Sequence, residues 1–234
     1  MTSELNDALV RTWVTGWART HDYDVDHAGS VHSALRSGDS DEWEYVLYAP
    51  DEADLQKVIA EVTKSPRRLL TLIAEPGDVR LKDSLNGLER ISDEEKLMAV
   101  DMDTQDVEDP ITPEGYSTTR DDHDGWTLFT VLDGDTVAAR GRVAIVDEHA
   151  ILDRIYTNPS HRRQGLGTFV TRALVAIALE DDVEVGLLVA NAEGLELYEY
   201  LGWTLLGDVY VYGSPDSDRT RPSHSQFDDL KGQA

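Results

Sequence analysis

Thr157-Asn158-Pro159-Ser160-His161-Arg162-Arg163-Gln164-Gly165-Leu166-Gly167-Thr168 is the stretch that decides the fold. The run from Ala150 to Thr157 reads as a strand, and Leu166, Val170, Leu174 and Ile177 mark the buried stripe of a long helix after it. A strand ends, a turn with two glycines follows, and a helix begins. Several backbone N–H groups converge there without side chains in the way. Those unpaired donors and the positive end of the helix dipole form an anion site suited to phosphate or pyrophosphate, and Arg162 and Arg163 add fixed positive charge. Taken alone, the same letters also describe a tight strand-to-helix turn that holds no ligand. A dinucleotide fingerprint needs G-x-G-x-x-G with a later acid, and a P-loop needs Gly-Lys-Ser/Thr; the chain has neither pattern here.

Working outward, Trp126 to Leu132 and Val137 to Val146 flank Asp133-Gly134-Asp135, an Asp-Gly hairpin signal. On the other side, Val185 to Ala190 reads as a strand, Ala192 to Leu201 as a helix and Trp203 to Tyr212 as closing strands. Toward the amino terminus, Leu5, Leu9, Trp13 and Trp17 recur every four residues and predict an amphipathic helix from Ser3 to about Thr20. Strands are expected at Ser30 to Leu35 and Glu42 to Tyr48, then a helix capped by Asp51, a strand at Leu69 to Ala74, a short helix at Val79 to Leu88 and a strand near Lys96 to Val100. The expected organisation is a 1–102 αβ region, an acidic linker at 103–114, a second αβ domain at 115–213 and a disordered tail at 214–234.

The charge balance excludes some partners. Lys and Arg number 21 against 46 Asp and Glu, a formal net charge of -25. Such a surface repels phosphate backbones and anionic lipid, so nucleic acid and membrane are not expected partners. The acidity is uneven, however: Arg140 to Arg172 holds six arginines and only Asp147, Glu148 and Asp153 as acids, a local reversal centred on the glycine turn. With no cysteine, disulfides, thiolate metal sites and a Cys nucleophile are excluded. The opening residues carry acids rather than a basic leader and no apolar run is long enough to span a bilayer, so a cytoplasmic location is expected.

A second motif follows at the right distance. Leu188-Val189-Ala190-Asn191-Ala192-Glu193-Gly194-Leu195-Glu196-Leu197-Tyr198-Glu199-Tyr200-Leu201-Gly202-Trp203 places a strand-end Asn before a helix that carries Leu-Tyr and ends in Leu-Gly-aromatic. Together with Thr157-x-Pro159-x-x-Arg162-x-x-Gly165-x-Gly167, it resembles the GCN5-related N-acetyltransferase (GNAT) superfamily over residues 115 to 213. The resemblance implies an α/β fold with a mixed, mostly antiparallel central sheet flanked by helices. It also implies transfer of an acetyl group from acetyl-CoA, as cosubstrate, to a primary amine of a small molecule. A protein or peptide amine, or a CoA-binding module without turnover, are the alternatives, and a homodimer is an assembly the family permits.

Residue by residue, the resemblance lays the pyrophosphate on the amides of Arg163, Gln164, Gly165, Leu166, Gly167 and Thr168, with Arg162 beside it. The pantetheine arm pairs with the backbone of Ile155, Tyr156 and Thr157, in a splay between that strand and the one ending at Ala190. Oriented N–H donors at that strand would stabilise the oxyanion formed when an amine attacks the thioester. Tyr198 stands where the family often keeps its general acid, or it packs and only touches cofactor. Asn191 hydrogen-bonds the pantetheine or caps the helix after it. The family's usual Glu base falls on Ile151, so this chain departs from the pattern. Asp153, of the same strand parity, is the first candidate for the base, ahead of Glu148, His149 and His161.

The amino-terminal region repeats the strand and helix order of the family's middle, but its turn, Ala49-Pro50-Asp51-Glu52-Ala53-Asp54, has no glycine and three acids. It reads as a degenerate repeat that shapes the acceptor pocket or docks on the active half. Trp13, Trp17, Trp43 and Tyr45 either line that pocket or belong to the core. The acidic strings at Asp22 to Asp26, Asp39 to Glu44 and Asp121 to Asp124 read as solvated surface.

Overall fold

The computed structural model describes residues 4–36, 40–78, 84–105, 108 and 110–217. In chain order the elements are α1 (Asp7–Arg19), β1 (Asp24–Ala28), β2 (Val31–Leu35), β3 (Trp43–Tyr48), α2 (Glu52–Val62), β4 (Leu69–Ala74), β5 (Ser84–Leu85), β6 (Leu88–Asp101), β7 (Ser117–Asp122), β8 (Trp126–Asp133), β9 (Thr136–Val146), β10 (His149–Thr157), α3 (Leu166–Ala178), β11 (Val185–Ala190), α4 (Ala192–Tyr200) and β12 (Thr204–Gly213). The strands form one sheet, ordered β1-β2-β3-β4-β12-β6-β11-β10-β9-β8-β7, with β5 paired to β6 off that path. Two pairs, β3–β4 and β10–β11, are parallel, each joined by a helix, and the other described pairs are antiparallel.

The unit β2-β3-α2-β4 therefore has the same connectivity as β9-β10-α3-β11. Each is an antiparallel pair followed by a helical crossover to a parallel neighbour. The two units are joined by exchange. β6 lies against β11, and β12 lies against β4, so each unit's last parallel strand is flanked by a strand from the other part of the chain. At that seam Lys96 Nζ lies 2.7 Å from Asp208 Oδ1, and the Gly77 N–H donates to Asp208 Oδ2 at 2.8 Å.

Alternation along the strands separates two faces. Met98 and Val100 of β6 and Leu188 and Ala190 of β11 pack with α3 and α4 residues, whereas Leu97, Ala99 and Leu187 pack under α1. Helix α1 begins where Asn6 accepts the Leu9 N–H at 2.9 Å. Its buried stripe of Leu9, Val10, Trp13, Val14 and Trp17 lies across both parts of the sheet, reaching Ile73 at one end and Val146 and Ile151 at the other. Each such side chain contributes on the order of 2 kcal/mol by leaving water. Trp13 and Trp17, stacked at 5.8 Å, belong to this core. Trp43 and Tyr45 stack on β3, where Tyr45 packs against the separate α2 core.

Several local expectations change. The short helix expected at Val79 to Leu88 is a strand pair over its described part: β5 and β6 turn back through Asn86 and Gly87, whose φ values are 37° and 98°. An Asn-Gly turn between apolar residues outweighs the weak helical spacing; residues 79–83 lie outside the described residues. Strand β6 runs back to Leu88 rather than starting at Lys96. The exposed strands β1 and β7 lack apolar alternation and were not predicted. Glu44, expected at the surface, is buried on β3 and accepts the Thr71 hydroxyl at 2.7 Å. In the expected disordered tail, Ser214 to Ser217 form a turn and Ser217 Oγ reaches Pro66 O at 3.1 Å; residues 218–234 lie outside the described residues.

Candidate active site

The loop between β10 and α3 is tied down from both sides. The Asn158 N–H donates to Ala138 O at 2.8 Å and its Nδ2 to Val137 O at 3.2 Å, which fixes the loop's start to β9. Asn158 Oδ1 accepts the Ser160 N–H at 3.1 Å and opens a single 3-10 turn, Pro159–His161. The Tyr116 hydroxyl donates to Gln164 Oε1 at 2.7 Å. Arg163 and Gly165 then take left-handed backbone, with φ of 61° and 79°.

That backbone leaves donors uncovered. Gly165 is the N-cap of α3 but offers no side-chain acceptor, and the Phe169 N–H to Gly165 O bond, 3.0 Å, is the first of the helix. The N–H groups of Leu166, Gly167 and Thr168 therefore have no acceptor within the helix. A Cβ on Gly165 would meet no protein atom within 4 Å, so open space lies over these amides. Gly167 plays a different part: its Cβ would stand 3.2 Å from Leu197 and 3.7 Å from the Thr157 hydroxyl, so a glycine lets α3 approach α4 and β10. Arg162 reaches across to Glu193 in the first turn of α4, 3.4 Å away. A diphosphate fits this cradle on size, backbone donors and charge.

Beside the loop the sheet opens. β10 pairs with β11 only at His149, Ala150 and Ile151, against Val185, Gly186 and Leu187. On its other edge β10 stays paired to β9 as far as Thr157, through an irregularity between Asp153 and Tyr156 where Arg154 has φ of 49°. The β11-facing edge from Leu152 to Thr157, including Ile155, Tyr156 and Thr157, is thus left without a strand neighbour. The counterpart pair in the amino-terminal unit shows no such gap, since β3 and β4 stay paired through Tyr48 and Ile73. There Asp51 caps α2 by accepting the Asp54 N–H at 2.8 Å. A cavity of about 300 Å³ does lie at that end, lined by Tyr48, Pro50, Leu55, Ile73, Ala74 and Glu75, but its wall is apolar and acidic and suits no phosphate.

Asp153 and Tyr198 flank the gap. Ile151 is fully buried under α1, and Asp153, two residues on, faces the same way. Its Oδ2 accepts the Thr20 hydroxyl at 3.1 Å and lies 2.5 Å from His21 Nε2. Burial pushes the Asp153 carboxyl above its usual range, against the opposing pull of the Arg154 charge. Tyr198 is buried on α4, edge-on to Trp203 with ring centres 6.1 Å apart. Burial first, and then the charge of Asp153, raise its phenol, so it stays protonated well above neutral pH.

The remaining candidates stand elsewhere. His149 pairs with Val185 at the closed end of the strand pair, and the Glu148 carbonyl accepts from Glu184 and Val185 there. His161 turns away to Asp133, 3.1 Å distant. Asn191 caps α4 by accepting the Gly194 N–H at 2.8 Å. Thr20, His21 and Arg154 were not singled out from sequence. His21 meets Asp153 across 132 positions, and no motif spacing announces such a contact.

An α/β sheet that opens beside an amide-lined loop at a helix N-terminus defines the class of protein. Residues 89–203 match the model of the acetyltransferase (GNAT) family. Solved structures share the fold. A GCN5-related N-acetyltransferase from Kribbella flavida superposes with a TM-score of 0.65 at 19% identity, over 92% of this chain and 97% of that one. For a putative GNAT-family acetyltransferase from Novosphingobium aromaticivorans the values are 0.59, 13%, 87% and 95%. A tandem GNAT protein from the clavulanic acid biosynthesis pathway gives 0.56, 14%, 81% and 82%. No curated protein matches the sequence. Among the described residues no helix is long and apolar enough to cross a membrane, and no group of three or more His, Asp or Glu could hold a metal ion.

Proposed function

We propose that the chain transfers the acetyl group of acetyl-CoA to the primary amine of a small molecule. The observation that carries this reading is the break in pairing after Ile151 and Leu187, beside the uncovered amides of Leu166, Gly167 and Thr168. A diphosphate on those amides and on Arg163, Gln164 and Gly165, with Arg162 alongside, would direct an attached pantetheine chain along Ile155, Tyr156 and Thr157 into the gap. Bound acetyl-CoA supplies an activated acyl thioester.

Every other step belongs to the chain's own residues. The open backbone edge of β10 orients the thioester carbonyl and offers N–H donors to the charge that develops on its oxygen. Asp153, a carboxylate of raised proton affinity, takes the proton of the attacking amine. Tyr198, held protonated by burial, gives its proton to the departing thiolate. Asn191 holds α4, and with it Tyr198, at the gap by capping the helix. The acidic exterior favours cationic amines over anionic acceptors. The test is release of free CoA thiol from acetyl-CoA across an amine panel, with binding of acetyl-CoA followed by calorimetry. Thiol release that depends on an amine supports the reading. Tight binding without release for any amine would make the chain a CoA-binding module instead.

A further inference from the structure

We infer that His21, in the turn just after the amino-terminal helix, is a positioning residue for Asp153: its ring N–H fixes the carboxylate and sets the pH at which Asp153 can take the amine proton. This rests on the acetyl-transfer reading above and assigns the first helix a part in the chemistry.

The short carboxylate contact favours a proton on Nε2. His21 Nε2 lies 2.5 Å from Asp153 Oδ2 and 3.3 Å from Arg154 Nε, while Nδ1 lies 3.4 Å from Arg154 Nη2. An imidazole protonated on Nε2 donates to the carboxylate and accepts from the guanidinium. The other tautomer would set a lone pair against a carboxylate and an N–H against a guanidinium. His21 and Thr20 both bond Oδ2.

The segment that bears His21 is fastened to β8 and β9 at three further points. Arg19 Nη1 donates to Ile145 O at 2.7 Å, and Arg142 Nη1 donates to Thr20 O at 2.5 Å. Trp126 Nε1 donates to Asp22 Oδ1 at 3.2 Å, and the Arg142 guanidinium lies 4.5 Å from the Trp126 ring centre. Asp22 itself has left-handed backbone, φ 56°, which turns the chain sharply after His21. These ties on both sides of His21 hold the imidazole against one carboxylate. The charged and titratable groups around that carboxylate are His21 from the turn after α1, Arg154 on its own strand, Arg142 from β9 and Tyr198 from α4, with Tyr23 packed 4.7 Å from the His21 ring.

A hydrogen bond to the ionised form of an acid favours that form. Losing the His21 N–H should therefore move Asp153 to higher pH, by about one unit, the usual scale for one such donor. The experiment uses the full chain with His21→Phe, which keeps a ring but no donor, and His21→Gln, which keeps an N–H. Two readouts are taken: the titration of the Asp153 side-chain carboxyl by carbon NMR, and the pH profile of kcat for CoA release. Expected for His21→Phe are an upward move of the carboxyl midpoint and of the acidic limb of kcat with it, so that below the wild-type midpoint the ionised fraction of Asp153 falls roughly tenfold, and a return toward wild type in His21→Gln. The KM for acetyl-CoA should not change. Identical midpoints in wild type and His21→Phe overturn the inference, even if activity falls. If wild type releases no thiol with any amine, the acetyl-transfer reading fails, while the NMR titration still decides whether His21 governs Asp153.

Discussion

Gly16 of α1 rests directly on Ile151 of β10: a Cβ at residue 16 would stand 2.5 Å from Ile151 Cγ1. Ile151, an aliphatic group, thus seats a helix from the other end of the chain. Gly16→Ala should make the helix itself more favourable by about 1 kcal/mol, yet overpacking of this kind costs about 1 to 3 kcal/mol. Net destabilisation is expected in urea unfolding. A more stable Gly16→Ala protein would mean that α1 does not sit on β10 as described.

Gly165 separates binding from folding. A side chain there meets no protein atom, but the φ of 79° costs a non-glycine residue about 1 to 2 kcal/mol. Gly165→Val should therefore remain folded, with a modest loss of thermal stability. Acetyl-CoA affinity should fall at least about a hundredfold, because the side chain fills the space over the amides and the left-handed turn relaxes. Unchanged calorimetric affinity would remove the loop from the cofactor site.

Tyr198→Phe removes one proton donor and little volume. Turnover should fall by roughly a hundredfold or more, the usual scale of general acid catalysis, while the acetyl-CoA affinity stays within a few-fold. Equal kinetics for the two proteins would leave Tyr198 as a packing residue against Trp203.

Two buried carboxylates should respond to pH in opposite senses. Burial raises Asp208, but the Lys96 ammonium and the Gly77 N–H outweigh it, and its folded pKa lies below the unfolded value. Its stabilisation is present above an unfolded pKa of about 3.9 and is lost as pH falls through the lower folded value. The stability gap between wild type and Asp208→Asn should therefore narrow on acidification. Asp153 is shifted upward, chiefly by burial. Its contribution is greatest below the unfolded pKa and is lost as pH rises through the folded value. Asp153→Asn should accordingly gain stability relative to wild type as pH rises from about 4 toward neutrality. Parallel pH trends for the two variants in denaturant unfolding would refute the assignment.

Much of the fold was legible because its signals are local. The four-residue spacing of α1, Asp51 before α2 and the apolar run of β4 each specify an element within a few residues. The strands that went unread, β1 and β7, are exposed and polar, so no burial pattern marks them. The hairpin taken for a helix turns on two residues, Asn86 and Gly87, inside a stretch with weak periodicity. Glu44 reads as one more surface acid until β3 places it beside Thr71.

The sequence by itself determined the glycine turn before α3, the helix that carries Tyr198 and the local excess of arginine around them. Those follow from backbone freedom, helical spacing and charge, all encoded over short stretches. Only the tertiary structure decided that β10 and β11 part after Ile151 while β3 and β4 do not, and that β6 and β12 are exchanged between the two units. It alone brought His21 to Asp153. Those are relations between residues far apart in the chain, fixed by which faces bury together, and no local pattern records them.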